Sequence, residues 1–294
     1  MTRSATSDTL PATAIAWPRA VLGFGRSRHA LGLGRYWTLV SLFASFETRR
    51  RYRRPVGRVA LVVVQPLLMT AVAIVAFGPA GIGSEGLPYP VYVFSALLPW
   101  QLIQSALVGA DRILGSRERF IPRVGCPAIV VPFAAIGASL VDSIPTSLVL
   151  LLMIVYYDVP LTGSLWTLPL WVLAGVLTAL GIALWLLPLR VRHGGVQSAV
   201  PFLSQIWLLA TPVFWSSATV PAAWHPLLGV NPMAGVTQGF RWALFGTTIR
   251  PQALSVTVSA AVIAVILVTG WIYCRRDRLG DLLEFRVVRQ GPRQ

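Results

Sequence analysis

Residues 59–78, "VALVVVQPLLMTAVAIVAFG", are twenty consecutive positions without a charged side chain. No other feature constrains the fold so strongly. At ~1.5 Å of rise per residue, a helix of that length covers a hydrocarbon layer of ~30 Å. Similar stretches recur at 89–110, 128–156, 164–189, 199–217 and 252–274, and with 57–78 they make six candidate spans. Backbone polar groups in lipid must be satisfied internally, which leaves helices or a closed barrel. These segments lack the short alternating pattern of barrel strands. The expected fold class is all-α integral membrane, and a composition that is 55% hydrophobic and only 12% charged agrees.

The segment just before the first span, "RRRYRRPVGR" at 49–58, holds six arginines in ten positions. Arginine also marks the segments between spans two and three, between spans four and five, and after span six. "PAGIGSEGLP" and "DVPLTG" have one acid each and no arginine. The positive-inside rule then places both termini in the cytoplasm and the protein in the plasma membrane as a multi-pass chain. Residues 1–34 read as a mobile cytoplasmic tail without a signal peptide, 35–56 as an interfacial helix plus the arginine run, 57–274 as the spanning domain and 275–294 as a second tail. Within 35–48, Tyr36, Leu39, Val40, Phe43 and Phe46 form one apolar stripe on a helix too short to cross.

The net charge of +15 comes from 25 arginines and no lysine. A chain without lysine holds no Walker A loop, Schiff-base lysine or Ser/Lys dyad, so any nucleotide hydrolysis, with the ATP and magnesium it needs, is expected of another subunit. The sequence shows no paired carboxylates, no GxSxG and no metal-spaced cluster among His29, His193, His225, Cys126 and Cys274. Neither an enzyme active site nor a metal or cofactor site is expected. No nucleic-acid role is expected either.

Residues 217–250 are apolar but broken by Pro221, Pro226, Gly229 and Pro232. Two short re-entrant helices are expected before the last span. Asn231 would be an N-cap, Pro232 the first helical residue, and Met233, Val236, Phe240 and Leu244 one apolar face. Re-entrant backbone is tolerated only against protein or a watery cavity, so a pore entrance belongs nearby. Asp142 is the acid that lies well inside a span. It is either a lumen or gating residue, or a carboxylate bonded to Ser139, Ser143 or Thr146. The fifth span carries Gln197, Ser204, Gln205, Thr211 and Trp215 near one face, beside Phe202, Trp207 and Phe214. That stripe is either glue between helices or the aromatic and amide lining of a sugar path. The loop "DRILGSRERFIPRVGCP" at 111–127 is either a solvated connector or a docking helix.

Taken in order, "RYR" at 51–53, "QPL" at 65–67, "PYPVYVFSALLPW" at 88–100, "AVPFLSQIWLLATPVFW" at 199–215 and "NPMAGVTQGFRWALFG" at 231–246 resemble the permease subunits of ABC-2 type polysaccharide exporters, the O-antigen, teichoic acid and capsule group. The chain departs from that pattern at Gly57, Arg58 and Leu61 and in "CPAIVVP". The resemblance implies a homodimer with two ATP-binding cassette subunits that exports a polyprenyl-pyrophosphate-linked polysaccharide. In the actinobacterial branch, which the arginine-only usage favours, that polymer is a cell-wall galactan. It implies a coupling helix at Arg117, Glu118, Arg119, Phe120, Ile121 and Arg123. It implies a channel lined by Gln65, Phe202, Gln205, Trp207, Thr211, Phe214 and Trp215, and a re-entrant gate around Asn231, Pro232 and Arg241. An ABC-2 permease for a drug or lipid is the alternative within transport, and an integral-membrane glycosyltransferase or acyltransferase the alternative outside it.

Part of the arginine run anchors the chain against anionic lipid. Six arginines exceed what orientation needs, and guanidinium forks suit phosphate. Arg49, Arg50, Arg51, Arg53 and Arg54 are therefore candidates to engage the substrate's pyrophosphate.

Overall fold

The computed structural model describes residues 33–78, 84–117, 129–193, 195–221, 224–246 and 253–276. Among these residues the regular elements are all helical: α1 (Leu33–Arg51), α2 (Pro55–Phe77), α3 (Tyr89–Arg117), α4 (Val130–Tyr156), α5 (Leu168–Arg192), α6 (Val196–Ala210), α7 (His225–Val230), α8 (Pro232–Phe245) and α9 (Ala253–Arg276). Short 3-10 turns stand at Gly163–Thr167 and Ser217–Thr219.

Among the described residues five helical segments are long and apolar enough to cross a membrane: Pro55–Phe77, Tyr89–Leu114, Val130–Tyr156, Gly163–Arg190 and Val256–Cys274. The stretch expected to span at 199–217 is different. Its helix, α6, has 15 residues and stops at Ala210, about 22 Å of rise and short of a crossing by itself. The cause is local. Thr211 precedes Pro212, whose ring drives it from helical to extended geometry, and Thr211 has φ −95° and ψ 141°. Residues 211–215 therefore do not continue the face of Gln205 that the sequence suggested.

α3 is the axis of the fold. Every residue from Val91 to Trp100 is buried, as fits a helix that is apolar all round. α4, α5, α2 and α8 pack around it. α5 and α9 meet through small residues: a Cβ on Gly270 would lie 3.1 Å from the carbonyl oxygen of Gly181.

α1 is longer than the expected 35–48 and does not simply float its stripe in the membrane surface. Leu39 and Phe43 are buried, and α1 lies against α4, with Ala44 close to Gly137. α2 continues along the same α3 and α4 pair with Val62, Pro66, Thr70 and Ala73 buried. Pro66 has no N–H to offer the carbonyl of Val62 one turn earlier. Gln101 of α3 supplies the missing donor, its Nε2 lying 2.7 Å from that oxygen, and its own Oε1 accepts from the Thr146 hydroxyl of α4 at 3.0 Å. A single amide thus joins three helices where lipid offers no alternative partner.

Candidate functional site

Two polar constructions stand out, one at each end of the bundle. The first is the elbow between α1 and α2. On α1 the buried positions Leu39, Phe43, Glu47 and Arg51 follow at four-residue intervals, so one stripe begins apolar and ends as an ion pair. Arg51 Nε donates to Glu47 Oε1 at 3.0 Å, and its Nη1 reaches Asp142 Oδ2 at 2.5 Å and Ser105 Oγ at 2.9 Å. Ser105 donates onward to Asp142 Oδ2 at 2.9 Å. Arg58, in the first turn of α2, binds the same carboxylate through Nε, 3.3 Å from Oδ1, and through Nη2. Arg112 of α3 stands 3.8 Å from Glu47.

Room for Arg51 comes from Gly109, where any Cβ would fall 2.2 Å from Nη2 of the guanidinium. The Tyr52 phenol is held above its ordinary pKa, first by burial and then by the charge and hydrogen bond of Asp142. Asp142 is therefore not bonded to Ser139, Ser143 or Thr146. Ser139 and Ser143 donate to the backbone of their own helix, and Thr146 to Gln101.

At the opposite end the non-helical segment after α6 is held by side chains from α3 and α8. Five successive carbonyls accept hydrogen bonds there. Arg241 Nη1 donates to Pro212 at 2.7 Å and Nη2 to Val213 at 2.8 Å. Tyr89 donates to Phe214 at 2.9 Å, Tyr92 to Trp215 at 3.2 Å, and Thr219 to Ser216 at 2.7 Å. Arg241 also donates to the Tyr92 carbonyl from Nε and Nη2, and its Cζ lies 3.5 Å from the centre of the Tyr92 ring. A fully buried guanidinium is thus met by three carbonyls and a π face.

Asn231 caps α8 as the sequence indicated. Its Oδ1 accepts from Met233 N and from Trp207 Nε1, both at 3.0 Å, while Nδ2 donates to the Thr211 hydroxyl at 3.0 Å. Met233, Val236, Phe240 and Leu244 are all buried, but so is most of the rest of α8, so the helix is enclosed all round and not on that face alone.

The other candidates separate by exposure. Arg49, Arg50, Arg53 and Arg54 are exposed around the elbow, whereas Arg51 is locked inside it. Phe202 is exposed on α6 and Gln65 on α2, and among the described residues no hydrogen bond joins Gln65 to α6. Gln205, Trp207 and Trp215 are half-buried, and Thr211 and Phe214 buried. Trp207 sets its ring edge-on to Trp100 at 5.1 Å, and Phe214 stacks on Phe77 at 6.2 Å. Arg117 ends α3, and Glu118, Arg119, Phe120, Ile121 and Arg123 lie outside the described residues. Among the described residues no cluster of His, Cys, Asp or Glu has the makings of a metal site.

The sequence did not single out Glu47, Ser105 and Gly109 at the elbow, or Tyr89 and Tyr92 at the cradle. The tyrosines had a signal: two phenols three residues apart at the mouth of a span need acceptors. Gly109 had none, because the guanidinium it admits comes from 58 positions earlier in the chain.

A family model described as ABC-2 type transporter matches residues 38–245, more than two thirds of the chain, including both the elbow and the cradle. The chain belongs to the ABC-2 type transporter family. This ABC-2 chain is similar to the O-antigen export system permease protein RfbA of Myxococcus xanthus, at 24% identity over 238 residues that cover 80% of this chain and 90% of the relative. It also resembles a protein of the same name from Klebsiella pneumoniae, at 19% identity over 239 residues, 80% of this chain and 91% of the relative. A second Klebsiella pneumoniae protein of that name aligns over 182 residues at 20% identity, 61% of this chain and 70% of the relative. The ABC-2 chain is a multi-pass membrane protein with an all-helical fold.

Proposed function

We propose that this ABC-2 chain is the permease subunit of an exporter that carries a polyprenyl-pyrophosphate-linked polysaccharide across the plasma membrane. Two separate ATP-binding cassette subunits bind ATP and magnesium, because a chain without lysine has no Walker A loop of its own. The observation that carries the substrate class is the alignment with O-antigen export permeases along 90% of one of them. The polymer that the resemblance to the actinobacterial branch implies is a cell-wall galactan.

A second copy completes the channel. The long row of exposed Val64, Leu68, Val72 and Val75 on α2, with exposed Phe202, Leu203, Ile206 and Leu209 on α6, is apolar surface for lipid or for that copy. α6 with its irregular continuation is read as a sixth, composite span, and α7 and α8 as the re-entrant pair. Irregular backbone at membrane depth is admissible only where protein satisfies it, and the carbonyl bonds of Arg241, Tyr89 and Tyr92 meet that condition. Arg49, Arg50, Arg53 and Arg54 face outward at the elbow and suit a diphosphate headgroup.

The test is reconstitution of the permease with its partner ATPase in liposomes. ATP-dependent transfer of a polyprenyl-pyrophosphate glycan into a compartment protected from added glycosidase is the expected outcome. Transfer of a dye or phospholipid with the glycan left behind rejects the substrate class.

A further inference from the structure

Neither apolar stripe fixes the angle between α1 and α2. Leu39 and Phe43 dock α1 on α4, and Val62, Pro66, Thr70 and Ala73 dock α2 on the α3 and α4 pair. Between them, Arg53, Arg54, Pro55, Val56 and Gly57 are all exposed. What the two sides of this joint share is one carboxylate. Asp142 takes Arg51, the last residue of α1, and Arg58 in the first turn of α2. Its side chain is 3% exposed, and that of Arg51 2%. A carboxylate so placed inside a spanning helix is costly unless paired, and here two guanidiniums and the Ser105 hydroxyl compensate it.

We infer that Asp142 is the positioning residue of the elbow: by holding both sides of the turn it sets the angle of α1 to α2, and with it the depth at which the exposed arginines meet a phosphate-bearing headgroup. The headgroup half of this statement rests on the export reading above. The charged groups facing Asp142 are Arg51, Arg58 and, one step away, the Glu47 and Arg112 pair. Three cations against two acids leave the joint with one excess positive charge, so Asp142 can be neutralised in a variant only at the cost of repulsion between Arg51 and Arg58.

The experiment places nitroxides at Ser45 and Leu61, both exposed on opposite sides of the elbow, in the full chain in bilayers. Pulsed electron resonance reads the distance between them. Asp142→Asn and Arg58→Gln should each turn a single narrow distance distribution into a broad one, and Gly109→Ala should displace it by pushing on the Arg51 guanidinium. Ser143→Ala, a neighbour whose hydroxyl serves only its own helix, should match the parent. Gln101→Leu should lower thermal stability without broadening the distribution, which separates elbow control from general destabilisation. A parent-like distribution in both Asp142→Asn and Arg58→Gln overturns the inference. Should Asp142→Asn fail to fold, Arg58→Gln decides alone, since Arg51 still occupies the carboxylate there. A broadened distribution with undiminished glycan export keeps the positioning role and removes the headgroup reading.

Discussion

The side-chain amide of Gln101 donates to the carbonyl of Val62, the acceptor that Pro66 leaves without its helical donor in the neighbouring span. Replacing Gln101 by leucine should therefore cost about 1–3 kcal/mol through an orphaned buried carbonyl, and somewhat more for the Thr146 hydroxyl that loses its acceptor. Pro66→Ala restores a backbone N–H beneath Val62. The Gln101→Leu penalty should shrink in that background, and melting temperatures of the four proteins in detergent would show it. Strictly additive losses would mean that the amide does not serve the proline gap.

Arg241 is the second such repair, on a larger scale. It holds Pro212 and Val213 of the irregular segment together with Tyr92 of α3, so alanine there orphans carbonyls on two elements at once. We expect Arg241→Ala to lose at least about 3 kcal/mol. Arg241→Lys should recover only part, since an ammonium keeps the charge but lacks the planar fork that reaches three acceptors. Equal stability of the lysine variant and the parent, measured by thermal unfolding, would show that charge alone suffices.

These two sites explain what the sequence made legible. Five of the six long apolar runs and the cap at Asn231 and Pro232 follow from local rules of length and capping, and they appear in the structure as expected. The end of α6 was also written locally, in Thr211 before Pro212, but the apolar run on both sides hid it. Asp142 was conspicuous as a buried acid, yet its partners Arg51 and Arg58 lie 91 and 84 positions away. Nearby serines were the only partners a local reading could offer. Arg51 in turn looked like one more member of a surface run, because its fate depends on Gly109 of another helix.

Orientation is the next prediction. Arginine asymmetry places the turn at Arg53 in the cytoplasm and the Glu85 end outside. Glu85 accepts from Ser216 at 2.7 Å, so the start of α3 and the cradle share one side. Single cysteines at Glu85 and Thr219 in a background with Cys126 and Cys274 replaced should react with an impermeant maleimide added outside intact cells, and a cysteine at Arg53 should not. Labelling at Arg53 alone would invert the topology.

The last prediction concerns the chemistry of the exposed arginines. Anchoring to anionic lipid needs only positive charge, at roughly 1 kcal/mol for each residue near the surface. Recognition of a diphosphate needs forked donors at a fixed depth. Arg51 cannot take part, because its guanidinium is buried inside the protein against Glu47, Asp142 and Ser105. The test set is therefore Arg50, Arg53 and Arg54, all exposed. Lysine at all three keeps charge and insertion. If the forks bind the headgroup, export of a polyprenyl-pyrophosphate glycan by the reconstituted transporter should fall roughly tenfold, the equivalent of about 1.4 kcal/mol. Added inorganic pyrophosphate should then inhibit the parent more strongly than the lysine variant. Export at the parent rate from the triple-lysine protein, with pyrophosphate inhibiting neither, would leave these arginines as a membrane anchor.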